Sequence, residues 1–230
     1  MITPQRRGPR PDVSRHRRWS RLAVVALLAS VLAGCASILG GESDPTTIYS
    51  PDPRPVLDPA LPTVSWQLAL GSTSGARTVD SYRIAVRPTP GEIQVYRGAS
   101  WARTPGEMLQ STVLRALEDS GKIASVARQG TGVAADYRLV LDLRRFEADY
   151  AGNAVPAATI EFNAKLIHGV DQAIVASRTF LQTQPATGTD VPQVVAAFDR
   201  ALGNVSGELA AWVLVSGDEH QRQAHPRITR

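Results

Sequence analysis

Cysteine, histidine and the aromatic residues are scarce in this 230-residue chain: one Cys, four His and thirteen Trp, Tyr and Phe together. A single cysteine, Cys35, excludes an internal disulfide framework. The histidines follow no metal-ligand spacing, since His168 sits near a strand end and His220 and His225 belong to a polar C-terminal stretch. The chain also lacks a Gly-x-Ser-x-Gly elbow, a phosphate loop and a GxGxxG segment opening a helix after a strand. The pairs Asp142/Glu147 and Glu147/Asp149 come nearest to acid–base spacing, but carboxylates at strand ends are ordinarily solvated. The residues therefore predict no enzyme, no metal and no cofactor. Missing too is any apolar run near the roughly 20 residues that a membrane-spanning helix needs.

What the chain does have begins at the N-terminus. Arg6, Arg7, Arg10, Arg15, Arg17, Arg18 and Arg21 precede an uncharged stretch from Leu22 to Ala33, too short to span a bilayer and ending in Leu32-Ala33-Gly34-Cys35. A basic region followed by a short apolar one is the pattern of a secretory signal. The tetrapeptide resembles the bacterial lipobox, which implies lipidation of the Cys35 sulfur, cleavage before it, and Cys35 as the first mature residue. The alternatives are an ordinary signal with a chance cysteine nearby and, from Arg17-Arg18, twin-arginine export. A secreted protein seldom keeps a lone free thiol. With Ala36 rather than Asp after the cysteine, the sorting rule of enteric lipoproteins implies the outer membrane.

Removing residues 1–34 takes away seven arginines and one acid, leaving 18 basic and 20 acidic residues, a formal charge of −2 in place of +4. The high isoelectric point of the precursor thus belongs largely to the signal, and nothing argues for nucleic acid. Residues 35–62 form the lipidated cysteine and a tether. Gly40-Gly41 and six prolines from Pro45 to Pro62 cannot build a core. Extended polyproline-like chain at about 3.1 Å per residue would let this tether reach roughly 80 Å. The competing expectation is a linker packed along the domain, with Ile48-Tyr49 as a docking point.

Residues 63–217 carry the periodicities of one folded domain, and 218–230 a polar, disordered tail. Strands are predicted at 64–70, 82–87, 92–96, 123–127, 137–144, 158–168 and 173–182. A helix starts at the capping box Thr104-Pro105-Gly106-Glu107 and stops at Gly121. A second starts near Asp190, with Val194, Phe198, Leu202, Val205, Leu209 and Trp212 in one stripe. Gly203 and Gly207 on it either admit a close neighbour or simply weaken it. The expectation is α+β: an antiparallel sheet with two helices on one face and a polar open face.

Several segments together resemble the ABC-type transport auxiliary lipoproteins: the lipobox, the proline-rich tether, Tyr82-Arg83-Ile84, Tyr96-Arg97-Gly98-Ala99-Ser100-Trp101 running into Pro105 and Leu109, and Asp136-Tyr137-Arg138-Leu139. The resemblance implies a non-catalytic periplasmic component of an MCE-type lipid transport system. Its partners would be an MCE-domain protein and an inner-membrane ABC transporter, and it would dock the MCE assembly at the outer membrane. A homo-oligomer would suit a ring-shaped partner. Tyr96, Arg97 and Trp101 are the candidate partner-binding residues, because aromatic and arginine side chains beside a glycine make compact hot spots; alternatively, Trp101 only covers the first helix. Two other readings stay open: a stand-alone lipid carrier, and an assembly lipoprotein of another envelope machine.

Overall fold

The computed structural model describes residues 45–224 apart from Val133. Cys35, the signal segment and His225 lie outside the described residues. The elements are β1 (Thr47–Tyr49), β2 (Val64–Leu70), β3 (Ser74–Gly75), β4 (Arg83–Arg87), β5 (Gln94–Trp101), α1 (Pro105–Ser120), β6 (Ile123–Arg128), β7 (Tyr137–Asp149), β8 (Ala157–His168), β9 (Ile174–Pro185) and α2 (Val191–Ala224).

Local chemistry sets both ends of α1. The Glu107 amide donates to Thr104 Oγ1 and the Thr104 amide to Glu107 Oε2, 3.0 Å away, so two orphan donors of the first turn are satisfied reciprocally. Gly121 closes the helix in the left-handed region at φ 61°. Met108, Leu109, Val113, Ala116 and Leu117 form the buried stripe.

Strand β7 organises the sheet. Along one edge it pairs antiparallel with β8 over its whole length, and β8 pairs antiparallel with β9. Along the other edge it meets β2, β3 and β4 in turn, all parallel. Beyond them lie β6, parallel to β2, and β5, antiparallel to β4, with β1 parallel to β5 outermost. The class is α+β, as the periodicities imply. The sheet is mixed rather than antiparallel throughout, because β2 and β4 reach β7 by long connections instead of hairpins.

A bulge lets β7 outrun its sequence pattern. Leu143 is opposite Phe162 and Arg145 opposite Glu161, so Arg144 is the extra residue. The inward positions shift there from odd to even, from Leu139, Leu141 and Leu143 to Phe146 and Ala148, all buried. Both helices pack on the inward face: α2 lies over β8 and β9, and α1 contacts α2 and β6.

Helix α2 runs to Ala224, so residues 218–224 are helical where a disordered tail is expected, and 225–230 lie outside the described residues. Its last turns are held because His220 Nδ1 sits 2.8 Å from the buried Tyr137 hydroxyl. The proline-rich segment is a strap rather than a free tether from Thr46 on. Strand β1 pairs with β5, the Asp52 amide donates to Asp199 Oδ1 (3.0 Å), and Lys122 Nζ donates to the Pro59 carbonyl (2.7 Å). Arg115 Nη2, 2.5 Å from Asp52 Oδ1, holds that carboxyl below the usual carboxylate range. Gly203 and Gly207 seat the strap: a Cβ on either would meet Pro53 Cβ at 3.1 Å or Pro55 Cβ at 3.3 Å.

Candidate functional site

Strands β4 and β5 carry the residues that the sequence singles out. Their register jumps between Arg83↔Ser100 and Ala85↔Val95, two residues of β4 against five of β5. The surplus on β5 is the Tyr96-Arg97-Gly98 stretch, where Gly98 takes φ 64°, a conformation that an L side chain rarely adopts. The bulge thrusts Arg97 into solvent. Tyr82, Arg83, Val95, Tyr96 and Arg97 then line one surface concavity of about 450 Å³.

Tyr96 lines this concavity only in part, being half-buried. Burial, with the neighbouring Tyr150, pushes its phenol up to about 12, so it stays protonated at any physiological pH. Trp101 is elsewhere altogether. With 2% exposure it packs edge-on against Phe146 (5.9 Å between ring centres) and Phe198 (5.2 Å), joining β5, β7 and α2. It is a core residue, and its assignment to a partner surface is corrected. The reason is parity: after the bulge, Ala99 and Trp101 face inward and Ser100 outward. The signal present in the sequence was the i, i+2 spacing of those two apolar residues, hidden by the glycine before them. Cys35 lies outside the described residues.

Two further polar groupings have partners that the sequence did not show. On the open face, Glu147 is 1% exposed yet ionically paired on both sides, with Arg87 Nε at 2.8 Å and Arg145 Nε at 2.7 Å; Arg145 also reaches Asp149 at 2.5 Å. The carboxylate contacts hold the Arg87 guanidinium above its ordinary pKa, the hydrogen bond to Glu147 leading. At the far end of β7, the rings of Tyr137, His168 and His220 lie within 6 Å of one another, and Asp171 Oδ1 is 2.9 Å from His168 Nδ1. Burial raises the Tyr137 phenol to about 12. In the first grouping two arginines balance two carboxylates, as in a structural network. Among the described residues no group of three or more His, Cys, Asp or Glu is placed to hold a metal ion. No described helix is long and apolar enough to cross a membrane.

The same architecture occurs in other proteins. A crystal structure of a protein from Xanthomonas campestris matches with a TM-score of 0.73 at 54% identity, covering 76% of this chain and 99% of that one. A second solved structure, of an uncharacterized protein, has a TM-score of 0.58 at 14% identity over 74% of this chain and 99% of its own, a likeness of fold alone. An uncharacterized protein of Bradyrhizobium diazoefficiens is 25% identical over 190 residues, 82% of this chain and 51% of that protein, so the chain spans about half the length of this curated relative. The model of one family, described as the ABC-type transport auxiliary lipoprotein component, matches residues 47–210, from β1 through most of α2. This chain therefore belongs to the family of ABC-type transport auxiliary lipoprotein components.

Proposed function

We propose that the protein is a lipid-anchored, non-catalytic component of an MCE-type lipid transport system, held at the periplasmic face of the outer membrane by acyl chains on Cys35, where it docks the periplasm-spanning MCE assembly served by an inner-membrane ABC transporter. The family match over residues 47–210 carries this reading, and the lipobox supports the anchor. The role is one of positioning: a folded body supplies a partner surface, and the chemistry of transport belongs to the transporter. One described cavity fits that division. It measures about 540 Å³, lies between the strap and α2, and has polar walls that include Arg54, Asp199, Arg200, Asn204 and Glu208. A stand-alone carrier would need an apolar enclosure for acyl chains.

In-cell photocrosslinking of the lipidated protein tests the partner. With Trp101 in the core, the probes belong on exposed positions of the β8–β9 side, at Lys165, Val170 and Leu181. Capture of an MCE-domain protein from any of them is the expected result. Phospholipid as the sole adduct would turn the reading to the carrier, and subunits of a different envelope machine would overturn the MCE assignment.

A further inference from the structure

Seven of the fourteen described arginines face a carboxylate, among them Arg87 and Arg145 on Glu147, Arg115 on Asp52, Arg144 on Asp142 and Arg178 on Glu208. Arg83 and Arg97 form no ion pair with any described residue, and they line the same concavity, whose walls contain no acid. Large aliphatic and aromatic side chains are exposed beside them. Tyr82 is 56% exposed, Val95 36%, and Ile48, the register partner of the cavity-lining Ser100, 67%. The bulge at Tyr96–Gly98 and the outward parity of Val95 and Ser100 bring these side chains to one face. Two unpaired guanidinium groups among exposed aliphatic and phenolic side chains match the interfacial zone of an anionic bilayer, where phosphates meet acyl chains and tyrosine is favoured.

Chain length supplies the second argument. Thr46 lines this concavity and follows Cys35 by eleven residues, which span at most about 40 Å even when fully extended. The strap fixes the rest of the proline-rich segment on the domain, so no further slack is available. A surface tethered that closely meets the bilayer at an effective concentration near the millimolar range, and weak affinity is then enough to dock it.

From this placement we infer that the face built by Ile48, Tyr82, Arg83, Val95 and Arg97 docks on the anionic phospholipid surface of the membrane that anchors the protein. The inference rests on the lipidation of Cys35. It orients the domain with β1 and the β4–β5 hairpin toward the bilayer and leaves the β8–β9 side for partners.

The full-length lipidated protein in vesicles tests it. With the Cys35 thiol occupied by lipid, Val95→Cys provides the one reactive thiol for an environment-sensitive fluorophore, and Leu181→Cys on β9 provides the comparison. In vesicles of phosphatidylethanolamine and phosphatidylglycerol carrying headgroup nitroxides, the label at 95 is expected to be quenched and the label at 181 not. Arg83→Gln with Arg97→Gln should lower the docked-to-undocked ratio about thirtyfold, near fivefold per arginine, and added salt should act in the same direction. Equal quenching at the two positions would overturn the inference, as would undiminished quenching in phosphatidylcholine. Reversal by inorganic phosphate at constant ionic strength would assign the arginines to free phosphate instead. A protein adduct from a photoprobe at Val95 in cells, in place of a phospholipid adduct, would reassign the face to a partner. Flotation of the vesicles separates the two readings: protein that floats without quenching at 95 sinks the docking face alone, whereas protein that fails to float sinks the anchor and the docking face with it.

Discussion

Trp101 and Arg97 sit four residues apart, and one bulge sends them to opposite sides of the sheet. Trp101 fills the junction of β5, β7 and α2 against Phe146 and Phe198, which themselves stack with ring centres 4.8 Å apart. Trp101→Ala should therefore lower the unfolding free energy by about 3–5 kcal/mol, the range for emptying an aromatic core site. Arg97→Ala should change it by less than about 0.5 kcal/mol, as exposed substitutions usually do. Urea titration of the two variants decides the matter, and comparable small effects would return Trp101 to the surface. Glu147 shows the same blindness of sequence to environment. It looked like a solvated strand-end carboxylate, yet it is buried between two arginines drawn from β4 and from its own strand. Breaking such a pair costs more than the pair itself contributes, because the remaining charges stay desolvated.

Among the elements, the strap and α2 are the pair whose relationship the sequence left open. Glycines four apart on an amphipathic helix are equally compatible with close packing and with mere weakness. Here they make room for Pro53 and Pro55. Gly203→Val together with Gly207→Val should expel the strap from α2, since each new side chain needs space already filled by a proline ring. Thermolysin cleavage before Leu57, within the strap, should then accelerate while circular dichroism of the domain stays close to that of the parent. Unchanged cleavage would mean that the strap is held by β1 and the Asp52 contacts alone. Helix α1 was readable to its caps because a capping box and a left-handed glycine are local devices. The end of β7 was not, because the bulge at Arg144 breaks the two-residue period on which strand recognition depends. The end of α2 was missed for a different reason: a polar stretch looks disordered until Tyr137, from a distant strand, gives its His220 a partner.

At the scale of the molecule, the strap changes what the tether can do. A free segment to Pro62 would reach roughly 80 Å, whereas only the ten residues 36–45 precede the docked part, a span of at most about 36 Å. The domain is thus expected to work near its membrane and to require a partner that comes to it. Cys35→Ser should move the protein from the membrane pellet to the soluble periplasmic fraction and abolish the acyl mass increment, since the three chains expected of such an anchor supply far more apolar burial than one. Unaltered fractionation would favour an ordinary signal with a chance cysteine. The sequence by itself determined the starts of both helices, seven of the nine strands in outline, the α+β class, the lipobox pattern and the resemblance to a family, because caps, turns and alternation are written within a few residues of one another. Only the tertiary structure decided that the sheet is mixed, that Trp101 faces the core while Arg97 faces out, and that the prolines lie on α2. Each of these depends on a register between segments from about ten residues apart, as in Ala85 and Val95, to 147, as with Asp52 and Asp199, and the free energy that selects such a register comes from burial shared between elements rather than from any one of them.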